Sequence, residues 1–256
     1  MSPGSSGTFE HERVMDPACL RHTEIPGTSK LFADLSYHFD KVARFYRHNP
    51  HLRESYAAAA REIQYPDDRR AAVARVLEAQ NPGNVLVGRF AQPGTVAVLS
   101  GQQVGLFSGP AYTIYKALTA ARLAEDLNAS GIPAVPIFWL ATEDHDFPEV
   151  DHVWVFDAGH HPIELRTEAP AAWQGKQRPA GGFPVEHPPI AELRSTLAGF
   201  AHGEEVAAAV AEAYQPGVTM GAGFRALLSK LLGRIGMLVL DPLDPKLRAV
   251  GAPFMA

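Results

Sequence analysis

The chain has one cysteine, Cys19, in 256 residues, so no internal disulfide can form and the composition suits a reducing compartment. No stretch approaches the roughly 20 consecutive apolar residues that span a bilayer. The opening MSPGSSGTFEHERVMD lacks both the basic start and the apolar run of a signal peptide. A cytoplasmic protein with no membrane partner is therefore expected. Basic residues are the minority: 23 Lys and Arg against 28 Asp and Glu leave a net charge of −5, which does not favour a nucleic-acid partner. Any bound anion must meet local positive groups. His145, His152, His160 and His161 crowd one region, but their spacings match neither HExxH nor a zinc finger, so no metal site is expected. Internal repeats and long charge runs are also missing. What is present, 46% hydrophobic residues, suffices for one sizeable domain or a core with a small accessory region.

Residues 1–24 are rich in Ser, Gly, Pro and charge at their start, and are expected to be disordered. Residues 25–90 read as helical. In TSKLFADLSYHFDKVARFY, Leu31, Leu35, Phe39, Val42 and Phe45 share one face, which predicts a single amphipathic helix with Thr28 or Ser29 as N-cap. HLRESYAAAAREI and DDRRAAVARVLEAQ predict two more, the latter stopped by Asn81, Pro82 and Gly83. From residue 91 the pattern changes. TVAVLS predicts a strand buried on both faces, AYTIYKALTAARLAEDLNASG a helix burying Ile114, Leu118 and Ala121, and IPAVPIFWLA a second strand. HVWVF is a plausible third strand, and MLVLD returns to the sheet after FRALLSKLLGRIG, whose stripe is Phe224, Leu227, Leu228, Leu231 and Ile235. Strand, loop, helix, strand implies a βαβ unit, hence an α/β Rossmann-like core over 91–256 with an insertion around 157–220. Trp139 and Trp154 are expected in the core. LDPLDP reads as a strand end and an Asp-capped, proline-started helix.

Two segments carry chemistry. SGQQVGLFSGP, residues 100–110, leaves the first strand and enters a helix, where ligands gather in open α/β sheets. Gly101, Gly105 and Gly109 would let backbone N–H groups approach an anion at the helix N-terminus, with Lys116 adding a full charge. Gln102, Gln103, Ser108 and Tyr112 offer donors and acceptors to a polar ligand. The segment is neither a Walker A nor a GxGxxG sequence, and the same glycine spacing would equally serve tight packing. EDHD, Glu143 to Asp146, follows the second strand. Three carboxylates around one imidazole suit a general base, a magnesium ion held by substrate phosphates, or a clamp for an amine or sugar hydroxyls. The bland alternative is a solvated acidic turn whose Asp144 or Asp146 caps a helix.

Together, GQQVGLFSGPAYTIYKAL, PAVPIFWLATEDHDFPEVDHV and GMLVLDPLDPKLR resemble the bacillithiol biosynthesis cysteine-adding enzymes, a family of cysteine ligases. The joint occurrence of GQQxGLFxGPxYTIYK and FWxxxEDHDxxE makes the resemblance specific. It implies a core similar to the nucleotidyltransferase-like domain of class I aminoacyl-tRNA synthetases, with inserted connecting segments. It also implies a cytoplasmic homodimer that joins L-cysteine to the amine of glucosaminyl-malate, with ATP and Mg²⁺ as cosubstrate through a cysteinyl adenylate and no tightly bound cofactor. Family members are longer, with a second half that completes the core and adds a coiled coil, so this chain is expected to be a truncated form. In the implied site Gly101 to Tyr112 and Lys116 hold phosphate or the malyl group. His145 or Asp146 accepts the amine proton, Asp144 orients His145, and Glu143 joins them in ligand binding. The loop lacks the HxGH pattern of an adenylating class I site. A metal-dependent hydrolase built on EDHD and His152, and a non-catalytic ligand-binding fragment, are the rival readings.

Overall fold

The computed structural model describes residues 19–170, 173 and 178–254. The expectation of disorder for 1–24 therefore lies outside the described residues as far as residue 18, and His22–Glu24 form a 3₁₀ turn. The chain divides into two compact units, Met1–Ala58 and Ala59–Ala256.

In the first unit, Ser29 caps α1 (Lys30–Tyr37) by accepting a hydrogen bond from the Phe32 N–H. The predicted single helix through residue 46 is corrected: α1 stops at His38, and two 3₁₀ turns, Phe39–Lys41 and Ala43–Phe45, follow. The cause is local competition for a carbonyl. A ring nitrogen of His51 lies 2.6 Å from Leu35 O, the acceptor that the Phe39 N–H would need to continue the helix. Phe39 then packs edge-on against that same imidazole. Val42 is buried, whereas Leu31 and Phe45 are exposed.

Helix α2 (Arg53–Glu62) contains the boundary between the units. Helices α3 (Asp67–Gln80) and α4 (Val85–Phe90) follow. Buried Arg70 ties them to the sheet, donating from Nη1 to Phe90 O at 3.0 Å and Thr95 O at 2.7 Å. The sheet has three parallel strands in the order β1 (Val96–Gln103), β2 (Ala134–Ala141) and β7 (Leu238–Leu240). Helix α5 (Tyr112–Ala129) makes the crossover that a parallel β1–β2 pair requires. Its buried stripe is Thr113, Ala117, Ala120, Ala121, Ala124 and Leu127. Leu118, predicted inside, is exposed because the small alanines bring the helix close to the strands on a neighbouring face. On one side of the sheet Val73, Val76 and Leu77 of α3, with Val87 and Phe90, meet Val135, Ile137, Leu238 and Leu240. On the other, Ala117 and Ala121 join Phe138, Leu140 and Val239. Each large side chain so buried contributes about 1.5–3 kcal/mol.

Strand β1 is the edge of the sheet; Ala97 packs against the cluster that α3 and α4 form over β2 and β7, and Leu99 lies beyond it. The expectation of burial on both faces is thus corrected, Leu99 being 55% exposed. The other edge, β7, is capped by three side-chain amides from the last residue of α3 and the turn that leads to α4. Asn84 Nδ2 donates to Met237 O, Asn81 bonds both Val239 N–H and C=O, and Gln80 does the same for Asp241. These carboxamides replace a fourth strand and blunt an edge that would otherwise invite pairing.

Between β2 and β7 lie α6 (Phe147–Val150), β3 (His152–Phe156) and β4 (Pro162–Arg166). Then come β5 (Pro184–Val185), α7 (Ile190–Thr196), α8 (Gly203–Ala213), β6 (Val218–Thr219) and α9 (Met220–Leu232). Strand β3 exists as predicted but belongs elsewhere: it pairs antiparallel with β4 in a separate ribbon, and β5 pairs with β6. Within the segment read as irregular, 171, 172 and 174–177 lie outside the described residues. Helix α9 ends at Leu232, which is buried in place of the exposed Leu231. Helix α10 (Pro245–Gly251) starts as the LDPLDP reading requires, Asp244 accepting from the N–H groups of Lys246 and Leu247. No helix among the described residues is long and apolar enough to cross a membrane.

Candidate functional site

The glycine segment is shorter as a loop than predicted, because β1 continues through Gly101, Gln102 and Gln103. Gly101 faces Trp139 across the β1–β2 ladder. A Cβ there would lie 2.6 Å from Trp139 O and 2.9 Å from Trp139 Cβ, so its lack of a side chain serves strand packing. Gly105 and Gly109 pack on one another, a Cβ on Gly105 falling 3.0 Å from Gly109 Cα. Between them the chain turns through left-handed conformations at Phe107 (φ 52°), Ser108 (φ 74°) and Gly109 (φ 65°). Such backbone persists only where its surroundings hold it. Here Phe107 stacks edge-on against buried Tyr214 at 5.1 Å, and burial pushes the Tyr214 hydroxyl pKa up. Ser108 is not presented to a ligand as expected: the turn drives it inward, and its hydroxyl is buried without a partner, as is that of Thr113.

Beyond that turn, a hollow of about 660 Å³ opens, within the range of small-molecule sites. Gln102, Gln103, Gly105, Gly109 and Tyr112 line one side, and Glu149, His152, Trp154 and Phe156 another. The amide of Gln103 is its hub. Its Nε2 donates to Asp144 Oδ2 at 2.7 Å and to Glu149 Oε2 at 2.5 Å, so one neutral group holds two carboxylates. The Gln103 hydrogen bond keeps the Asp144 carboxyl pKa below the usual carboxylate range, helped by the backbone N–H groups of Asp146 and His145, against the opposing effect of burial. Lys116 donates to Gln102 Oε1 at 2.9 Å and lies over the Tyr112 ring, while Gln102 Nε2 donates to the Tyr112 hydroxyl at 3.3 Å. Tyr112 and Lys116 stand in the first two turns of α5, where the Thr113, Ile114 and Tyr115 N–H groups already donate to Pro110 O and Ala111 O, so the full positive charge there is that of Lys116.

EDHD divides. Asp144 reaches Gln103; Glu143 instead accepts from Trp139 Nε1 at 3.2 Å and lines a second, largely apolar hollow with Tyr65, Val73, Leu247 and Val250. Asp146 precedes α6 without capping it through its side chain, its N–H donating to Asp144 Oδ1. His145 is 61% exposed and its Nδ1 stands 4.0 Å from Asp144 Oδ1, beyond hydrogen-bonding distance, so Asp144 does not orient it. The turn itself is held by Ala180 N–H to Asp144 O and Gly181 N–H to Thr142 O. Asp241, at the end of β7, accepts from the Thr142 hydroxyl at 2.5 Å and the Leu243 N–H, and so fastens two strand ends. Among the described residues no three His, Cys, Asp or Glu side chains converge as a metal-holding group.

Three lining residues had been given other parts or none. Glu149 is the last letter of the FWxxxEDHDxxE pattern. His152 entered only as a ligand in the rival metal reading, and Trp154 was expected in the core. Alternation along β3 was the available signal: Val153 and Val155 pack inward, and Trp154, 57% exposed, stands on the open face with His152 and Phe156.

The architecture defines a Rossmann-like α/β domain with a hollow at the end of its first strand, its largely apolar, aromatic-bearing wall carrying the Gln102 and Gln103 amides, Glu149 and His152. The chain belongs to the BshC family: residues 15–256 match the model described as "Bacillithiol biosynthesis BshC, N-terminal Rossmann-like domain". It is 50% identical over 239 residues to a protein of Solibacter usitatus (strain Ellin6076), covering 93% of this chain and 45% of the relative. It is 35% identical over 247 residues to one of Koribacter versatilis (strain Ellin345), with the same coverages. A third, of Salinibacter ruber (strain DSM 13855 / M31), is 31% identical over 241 residues, covering 87% and 42%. All three bear the name "Putative cysteine ligase BshC". The chain thus spans less than half the length of the curated relatives it matches.

Proposed function

We propose that this chain supplies the amino-sugar-acid cleft of a ligase that joins the carboxyl of L-cysteine to the amine of glucosaminyl-malate, giving bacillithiol. One observation carries the reading: the Gln103 amide, bonded to both Asp144 and Glu149, lies in a hollow that Glu149, Trp154 and Phe156 also line. A sugar ring offers apolar C–H faces to aromatic rings and hydroxyls to amides and carboxylates. An ammonium group suits the two carboxylates, and the malyl carboxylates suit the first turn of α5 beside Lys116.

Amide formation also needs the cysteine carboxyl activated. ATP with Mg²⁺ is the cosubstrate we propose: the carboxylate attacks the α-phosphate, pyrophosphate leaves, and the amine displaces AMP from the acyl carbon. Calorimetric titration of the chain with glucosaminyl-malate tests the cleft, and absence of saturable heat overturns the reading. Turnover of glucosaminyl-malate and cysteine with and without ATP tests the activation. Product formed without nucleotide would end the adenylate route.

A further inference from the structure

The period-2 pattern of β3 sends His152, Trp154 and Phe156 into the hollow and Val153 and Val155 into the core. Only one of the three can carry a proton. His152 Nδ1 lies 2.8 Å from Asp151 Oδ1, and Asp151 is 8% exposed. That carboxylate is clamped in turn. Arg166 Nη1, from the paired strand β4, lies 2.6 Å from Oδ1 and 2.5 Å from Oδ2, and the Thr167 N–H donates to the Asp151 carbonyl. Glu164 fixes the same guanidinium from its other side. An acceptor at Nδ1 places the proton of neutral imidazole on Nδ1, which leaves the Nε2 lone pair for another partner. A carboxylate orients the base of acyl-transfer triads in this manner. His145 has no such support, being exposed and 4.0 Å from its neighbouring carboxylate.

We propose that His152, not His145, accepts the amine proton in the ligation, with Asp151 and Arg166 as positioning residues; the inference rests on the ligase reading above. The amine nitrogen of the sugar bonds to the acyl carbon of the activated cysteine, and one N–H proton passes to His152 Nε2. The bond from that carbon to its phosphate leaving group breaks, the phosphate oxygen keeping the electron pair. In this reading Glu149, which lines the hollow with His152 and is tied through Gln103 to Asp144, holds that nitrogen before the transfer.

Two measurements on the whole chain test this. First, ¹⁵N-histidine spectra are recorded while glucosaminyl-malate is added, with the His152 signals assigned by through-bond correlation to the backbone of the parent. The expected result is an Nδ1–H tautomer for His152 and a saturable shift of its Nε2, with the His145 signals unmoved. A His152 Nε2 signal that stays still while calorimetry registers binding overturns this inference and leaves the ligase reading intact. No heat and no shift sink both. Second, His152→Gln should lower turnover at least about 100-fold, the low end of general-base effects, with affinity for glucosaminyl-malate within about 3-fold of the parent, a fraction of 1 kcal/mol. His145→Gln should keep both. Retained turnover in His152→Gln, or loss of turnover only in His145→Gln, refutes the assignment. Should the His152 variant fail to fold, or the parent bind without turning over, the spectra of the parent decide.

Discussion

Asn81→Ala should cost the fold more than any exposed asparagine would. The Asn81 side chain gives Nδ2 to Val239 O at 2.8 Å and takes the Val239 N–H on Oδ1 at 2.8 Å, and Val239 is 6% exposed. Alanine leaves both backbone groups without a partner. A buried unsatisfied group costs about 1–3 kcal/mol. A recess of about 260 Å³, lined by Asn81, Asn84, Leu228 and Val239 among others, admits water beside them. The expected loss is therefore near the low end for a pair, about 2–3 kcal/mol. At about 2–4 °C per kcal/mol for a unit of this size, the thermal midpoint should fall by about 4–12 °C. Urea unfolding should show the change in midpoint with the slope unaltered, since the surface exposed on unfolding is the same. Asn81→Asp sharpens the test. One carboxylate oxygen still accepts from Val239 N–H, but the other faces the carbonyls of Val239 and Leu77, to which Asn81 Nδ2 donates. This variant should be destabilised at pH 7 and recover below about pH 4, where the carboxyl protonates and can donate. An alanine variant within about 0.5 kcal/mol of the parent, or an aspartate tolerated at pH 7, would refute the edge-cap argument.

Gln103→Leu should destabilise the chain by about 1 kcal/mol at pH 6, a figure held down because the partly exposed carboxylates regain water. The Asp144 pKa is lowered in the folded state, so its contribution is present above the unfolded value near 3.9 and is lost as pH falls through the folded one. Parent and variant urea midpoints should therefore converge towards pH 3, and a gap that widens there would contradict the assignment. Trp154→Ala should leave stability within about 0.5 kcal/mol, as an exposed substitution does, while calorimetric affinity for glucosaminyl-malate falls about 10-fold, or 1.4 kcal/mol; unchanged affinity would remove the aromatic wall from the site. Gly109→Ala should cost about 1–3 kcal/mol in urea unfolding, because φ 65° with ψ −154° is a glycine-only region. Equal stability would mean that the turn relaxes freely.

What the sequence made legible follows from how far each signal reaches. Helix α3, strands β1, β2 and β7, and the Asp244 cap were legible because periodicity and capping are local. Asn81 was legible only as a helix stop, since the strand it caps is 158 positions away. HVWVF was legible as a strand but not as a member of the ribbon with β4, because alternation encodes which residues share a face and is silent on which strand lies alongside. That is also why Trp154 was misplaced. Burial statistics for tryptophan describe an average, and a ribbon packed on one side leaves every second side chain open. The site shows the same limit more sharply. Glu143, Asp144, His145 and Asp146 are consecutive, so in an irregular turn they point to separate surroundings, and only Asp144 reaches Gln103. His152 and Trp154, two apart on a strand, are forced onto one face. Contiguity in a loop is thus a poor guide to shared chemistry, and regular spacing along a strand a better one. The imidazole that the ribbon orients through Asp151 is accordingly a stronger candidate for moving a proton than the one the acidic tetrapeptide surrounds in sequence.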